Sequence, residues 1–428
     1  MRIMHMWWHL KMLKRAGRGH DPGGVRATTP GSCVVLCPAC PHPGKNLRPD
    51  WEEAPENEKW LYQLFIGLNA NFRLKCKKVS SDSVDPGLNH GYAYFVEERA
   101  YKEYLSIYDS LVTEEQSMCN NHDAVKLANM RGSVTGTAAS GVGAVTCTRH
   151  DMRLPCSVSD LQKGEWYVNM DYMFFSTLAN VPSKDVVISY DIACQWHKNL
   201  WKWYQLYKSC PFKKDDHDFV FLIPKFHINA HQKSCQDNYS FHHTLHVGEM
   251  DGEGVERPYS DSNLYSSSTK EIGPGSRCNF LDDAFTDYNW RKVCGMPTLF
   301  LVKIKAALPE HNKQVLAFAE LNDAMVLEDW NLWRNTVKTW EKDSSKLNPV
   351  VATCPTVTQV AVHLQLANEE AVELENGVQS GMVHDLVSPS VMIMAGIELQ
   401  EQQYHLRHDI VTLGAHSTDL QCAKMIER

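Results

Sequence analysis

The chain changes its hydrophobic period several times, and each change marks an element. From Trp60 to Lys75 large apolar residues are broken by Gly67-Leu-Asn-Ala-Asn71, after which Phe72, Leu74 and Cys76 alternate with polar neighbours. Period-two runs of this length form strands, so two strands with a tight change between them are expected. Tyr94 to Leu111 has helical spacing and opens on Glu97 and Glu98, which suit a helix N-terminus. Val142 to Thr146 is a short apolar strand candidate. Asp160 is placed as the N-cap of an amphipathic helix running to about Leu178. Val186-Val-Ile-Ser-Tyr-Asp191 is the best candidate for a buried strand, and it ends on a carboxylate. A helix follows with Trp196, Leu200, Trp203 and Leu206 on one face, then a strand over Phe219 to Phe226. Residues 236–250 are polar and His-rich. Beyond Asp282 the pattern is helical to about Glu341, with Trp330, Trp333 and Trp340 placed in the core, and a Gln- and Glu-rich helix lies near 396–413. Alternating strands and helices of this kind predict an α/β sheet with a site at its strand ends.

Composition narrows the class. The 428 residues are 43% hydrophobic and 22% charged, an ordinary globular mixture that excludes a disordered tail, a collagen or a coiled coil. The formal charge is −8, but residues 343–428 hold eleven acids and four bases, so the remainder is almost neutral. The first thirty residues carry six bases against Asp21 alone. Lys11, Lys14, Arg15 and Arg18 form a small basic patch, a candidate for nucleic-acid contact. His9, Lys11, Lys14 and Arg15 interrupt the early apolar residues, and no run approaches the roughly 18 apolar residues of a membrane span. A cytosolic or nuclear protein without a membrane partner is expected.

The 14 cysteines and 20 histidines change the picture further. Cys37-x2-Cys40 and Cys147-x2-His150 together make a Cys3His set, a structural zinc complement. Cys194 and His197, with His227, His231 and Cys235 downstream, offer a weaker second metal site or simply hydrogen-bonded histidines. Asp191 suits either an N-cap or a metal ligand. Glu253 and Glu256 in Asp251-Gly-Glu-Gly-Val-Glu-Arg257 supply further carboxylates. A two-metal site would want a third acid on the first strand, and Asn69 stands there. Trp196, Trp201 and Trp203 interleave with Lys198 and Lys202, a spacing shared by core helices and base-stacking surfaces. A zinc hydrolase on His227 and His231 is disfavoured, because HExxH-type spacing is absent.

Ten blocks recur in a familiar order, among them LCPACPHPGKNL, NANFRLK, DPGLNHGYAYFV, GVGAVTCTRHDM, ISYDIACQWHKNLW, PKFHINAHQKSCQ, MDGEGVER and GPGSRCNFLDDAFTDYNWRK. Covering most of residues 8–295, they resemble the Kyakuja–Dileera–Zisupton (KDZ) transposases in the form abundant in fungal genomes. The resemblance implies an RNase H-like mixed sheet flanked by helices, with a helical insert and a mainly helical C-terminal region. It implies DDE-type, Mg²⁺-dependent strand cleavage and transfer, a nuclear location, transposon-end DNA as partner and homo-oligomers as an option. On the matching positions, Asp191 is the second catalytic carboxylate and Glu256 the third, with Glu253 as runner-up. The first Asp of the family falls on Asn69, so impaired catalysis is expected. The parts are a basic segment with a cysteine knuckle (1–57), the transposase core (58–260) with its insert at about 95–130, a helical region (261–342) and an acidic, partly helical tail (343–428). A truncated copy is expected. The alternative is a non-enzymatic, zinc-stabilised remnant that binds nucleic acid or protein.

Overall fold

The computed structural model of the chain describes residues 2–55, 57–108, 136–162, 164–181, 183–204, 212, 214, 217–351, 359–377 and 387–413. It comprises two compact units, Met1–Val351 and Ala352–Arg428. The strands of the first unit are β1 (Leu64–Asn71), β2 (Cys76–Lys77), β3 (Thr137–Ala139), β4 (Gly141–Cys147), β5 (Met152–Leu161), β6 (Asp185–Tyr190) and β7 (Asp218–Leu222). Five of them form one sheet in the order β5-β4-β1-β6-β7, and β2 pairs with β3 apart from it. β4 runs antiparallel to both β1 and β5, while β1, β6 and β7 are mutually parallel. This is the mixed, RNase H-like architecture that the family resemblance implied.

The centre of the sheet is covered on both faces, which is why β1 and β6 are nearly continuous apolar runs. Side chains alternate between faces. Leu64, Ile66 and Leu68 join the larger core with Val186, Ile188 and Phe174. Phe65 points the other way, into a smaller cluster with Val187, Leu222, Phe241 and Val247. The helices of six or more described residues in this unit are α1 (Arg2–Arg15), α2 (Glu98–Tyr108), α3 (Tyr167–Asn180), α4 (Ala193–Tyr204), α5 (Lys233–Asn238), α6 (Arg257–Ser262), α7 (Pro274–Ala324) and α8 (Leu327–Lys342). α3 and α4 cover the larger core. Trp196 is buried there, its indole N–H donating to Asp171 Oδ1 at 2.7 Å.

α7 is fastened to the sheet by two buried charges. Asp282 accepts hydrogen bonds from Asn89 Nδ2 (2.6 Å) and from the backbone N–H groups of Tyr94 (3.1 Å) and Phe95 (3.2 Å). Arg277 pairs with Asp160 at 2.7 Å and donates to the Leu74 carbonyl at 2.5 Å. α1 packs on α7, with Lys11 3.2 Å from Asp283. Past Phe300, which still packs on the larger core, α7 is almost entirely solvent-exposed, and Pro297 and Pro309 lie inside the helix.

Several elements differ from expectation. Asp160 lies inside β5 and is held by Arg277, so it caps no helix, and α3 begins at Tyr167. β5 has no strand-like period in the sequence, because Pro155 and a positive φ at Cys156 (47°) break its alternation. The second early strand shrinks to Cys76–Lys77. β7 stops at Leu222, which frees the next residues to turn toward the site. α8 has no buried residue and Trp333 is 57% exposed, so those tryptophans are outside the core. Of the expected insert, α2 is described, and residues 109–135 lie outside the described residues.

The second unit contributes α9 (Gln359–Glu375) and α10 (Pro389–Leu413), where Ser390 donates to Glu370 through both its N–H and its hydroxyl at 2.7 Å. Among the described residues no helix is long and apolar enough to cross a membrane.

Candidate active site and metal centres

Parallel pairing puts the first two site residues side by side. Leu68 on β1 is in register with Tyr190 on β6, so Asn69, still inside β1, and Asp191, the first residue past β6, come next on the two parallel strands. The third arrives on the loop 251–256. Gly252 (φ 80°) turns that loop, Ser189 Oγ donates to the Gly252 carbonyl at 2.8 Å, and Gly254 lies so close to the Thr148 backbone that a side chain there would overlap it. Arg257 anchors its far end by pairing with Asp151 (3.1 Å) and Asp251. Glu256 then meets Asn69, whose Nδ2 donates to Glu256 Oε1 at 3.1 Å. The Asn69 carbonyl oxygen is turned away and accepts the Ala70 N–H at 2.6 Å.

His227 completes the cluster. Its Nε2 lies 3.6 Å from Glu256, 3.8 Å from Asp191 and 3.8 Å from Glu253. Ligand atoms of Asp191, His227 and Glu256 fall within 4.8 Å of one another. Glu253 sits at the same edge, with Oε1 accepting the Phe226 N–H at 3.0 Å. The structure therefore brings Asn69, Asp191, Glu253 and Glu256 together. Residues of the sequence motif did not mark His227 as their neighbour, and no motif marked Glu165. The latter carboxylate accepts the Tyr190 hydroxyl at 2.8 Å.

Converging acids with limited solvent disfavour ionisation. Burial, helped by the charges of Glu256 and Glu253, pushes Asp191 up to about 6, while His227 opposes the shift. Burial and the Asp191 charge push Glu165 up to about 8. Burial also raises Glu253. His227 goes the other way: Glu256 first, then Asp191 and Glu253, raise it to about 9 against partial burial, so its ring is a cation at neutral pH. His227 in turn holds Glu256 below the usual carboxylate range. Oxygen donors of this type suit a hard divalent ion at Asp191 and Glu256. Position 69 does not fit, because Asn69 turns donor hydrogens toward the cluster.

Cys37, Cys40, Cys147 and His150 also meet, fully buried, with ligand atoms within 4.8 Å of one another. Cys37 Sγ is 3.3 Å from His150 Nδ1, Cys40 Sγ is 3.0 Å from Cys147 Sγ, and Cys147 Sγ is 3.6 Å from His150 Nδ1. Hydrogen bonding from Cys147 and Cys40 holds the Cys37 thiol low, and the same contact pushes Cys147 up to about 12. Three facing thiols cannot all ionise without a cation between them. The group ties the segment before β1 to the β4–β5 turn.

The weaker metal set is rearranged. Of its five residues Cys194, His231 and Cys235 meet, while His197 and His227 do not join them. His197 turns back along α4, its Nδ1 2.7 Å from the Ala193 carbonyl, and stacks on Phe221. His227 is drawn to the carboxylates instead. Of the basic patch, Lys11 and Arg15 pair with Asp283 (3.2 and 3.7 Å), Arg18 pairs with Asp21 (3.1 Å), and Lys14 is exposed.

An acid cluster at the carboxyl ends of parallel strands in an RNase H-like sheet defines the class. The family model described as Kyakuja-Dileera-Zisupton transposase matches residues 62–289, more than half of the chain, and the protein belongs to that family. The match includes every residue of the acid cluster and stops short of Cys37 and Cys40. No curated protein and no solved structure matches.

Proposed function

We propose that this protein carries the catalytic core of a DNA transposase in which the strand-transfer site is severely impaired at position 69. The observation that carries the reading is the Asn69–Glu256 hydrogen bond beside Asp191. Asp191 and Glu256 are the carboxylates that would hold Mg²⁺, with Glu253 close by. When bound, the ion supplies activation of the attacking hydroxyl and charge stabilisation at the leaving oxygen. The chain's own residues orient that site. Gly252 and Gly254 let the glutamate loop approach β1, and Glu256, 48% exposed at its side chain, faces solvent where a DNA backbone can reach. Asn69 links to Glu256 where an Asp would add a negative oxygen ligand, so the cluster loses both a lone pair and a charge.

The Cys37, Cys40, Cys147 and His150 group holds a structural Zn²⁺, which pins the N-terminal segment to the sheet. Lys14 and Arg15 extend the DNA-contacting surface, and a nuclear location follows from the substrate.

The test is cleavage of the genomic segment surrounding the chain's own coding sequence, in Mg²⁺ or Mn²⁺. The unmodified protein should cleave at least about 10²-fold more slowly than Asn69→Asp. Equal activity of the two overturns the impairment, and inactivity of both overturns the transposase reading in favour of a binding module. The buried Cys3His group favours that second reading as well, because it stabilises the fold without any catalytic demand. A salt-dependent shift on DNA without cleavage supports it.

A further inference from the structure

Near the acid cluster lies a second thiol–imidazole group that the transposase reading does not use. Cys194 is in the first turn of α4, three residues after Asp191. His231 and Cys235 come from the segment after β7. His231 is extended (φ −90°, ψ 162°), and Cys235 lies inside α5. All three are buried, at 1%, 5% and 7% exposure. Their ligand atoms lie within 4.8 Å of one another, and Cys194 Sγ is 3.6 Å from His231 Nδ1.

That spacing has a chemical meaning. A tetrahedral ion bonded at about 2.3 Å to sulfur and about 2.0 Å to nitrogen holds those two atoms about 3.5 Å apart. Two thiolates and one imidazole form a borderline-soft set, which favours Zn²⁺ and disfavours the hard ions that suit the carboxylates. Gln195 Nε2, 3.8 Å from Cys194 Sγ, points an amide donor at the sulfur, the kind of outer contact that steadies a thiolate ligand.

We propose that Cys194, His231 and Cys235 bind a second Zn²⁺ ion, with water in the fourth position. The ion fastens the first turn of α4 to the segment after β7. Asp191 precedes Cys194 by three residues and His227 precedes His231 by four, so one ion braces both backbones that feed the acid cluster. This inference stands on the three side chains alone and does not depend on transposase activity.

Metal analysis of the full chain purified with zinc should give two equivalents, with one lost in a Cys37→Ser/Cys40→Ser variant and the other lost in Cys194→Ser. His197→Ala should keep both. Cobalt substitution gives a readout that survives poor folding of a ligand-deleted variant. Cys235→His retains three ligands but should lower the thiolate-to-cobalt charge-transfer absorption relative to the unmodified chain, while tetrahedral visible bands persist. A single equivalent that disappears with Cys37→Ser/Cys40→Ser and is untouched by Cys194→Ser overturns the proposal. So does an unchanged charge-transfer absorption in Cys235→His.

Discussion

Asn69 shows how one side chain resets the balance of a charged cluster. In place of a carboxylate it offers an N–H to Glu256, and together with cationic His227 it offsets the acids without a metal. Asn69→Asp should therefore lower the melting temperature in chelator, reflecting a loss of about 1–2 kcal/mol for the hydrogen bond and added repulsion. Mn²⁺ should restore it, and isothermal titration should show tighter Mn²⁺ binding than in the unmodified chain. Glu165 gives a pH signature. Its folded pKa of about 8 lies above the ordinary carboxylate value, so the folded state binds the proton more tightly than the unfolded chain. Its contribution is fully present below the unfolded value and is lost as pH rises toward 8. Melting temperatures should fall across that window, and Glu165→Gln should flatten the fall. Asn69, Asp191 and Glu256 were legible as candidates because their motifs are local. Glu165 was not legible, and His227 was legible only as a ligand of the cysteine–histidine set, since nothing in their own segments reveals that the fold places them beside Asp191.

Elements act here mainly by how closely they approach. A Cβ at Gly67 on β1 would stand 2.6 Å from Thr148 Cγ2 and 3.3 Å from Val255 Cβ, so that glycine lets the glutamate loop lie against the strand. Gly254 does the same against the Thr148 backbone. Gly254→Ala should cost about 1–3 kcal/mol and move Glu256 off the strand ends. Thermal melting reads the first effect and weaker Mn²⁺ binding the second. β6 and α4 were readable from apolar period alone. β5 was not, because the kink at Pro155 and Cys156 hides its alternation while pairing with β4 still makes it a strand. The exposed tryptophan on α8 shows the opposite error. An apolar helical period records a tendency to bury a face and does not ensure that another element covers it.

At the scale of the molecule, the acid cluster and both cysteine–histidine groups lie within Met1–Val351, while residues 352–428 carry ten acids against three bases. Removing residues 352–428 should leave zinc content unchanged by metal analysis and strengthen DNA binding at low salt, since about seven negative charges leave a nearly neutral body. Equal affinity with and without the tail would show that its charge does not reach the DNA. The amino-acid sequence by itself determined the family, the α/β alternation and the residue types available for chemistry, because these are written in local order and spacing. Tertiary structure alone decided which of them meet. Strand register set Asn69 beside Asp191, and the turn after β7 gave His227 to the carboxylates. Of the five-residue cysteine–histidine set, the fold kept Cys194, His231 and Cys235 together and turned His197 back along its own helix. Ligand sets form between segments far apart in the chain, and only the pairing of the sheet fixes their distances.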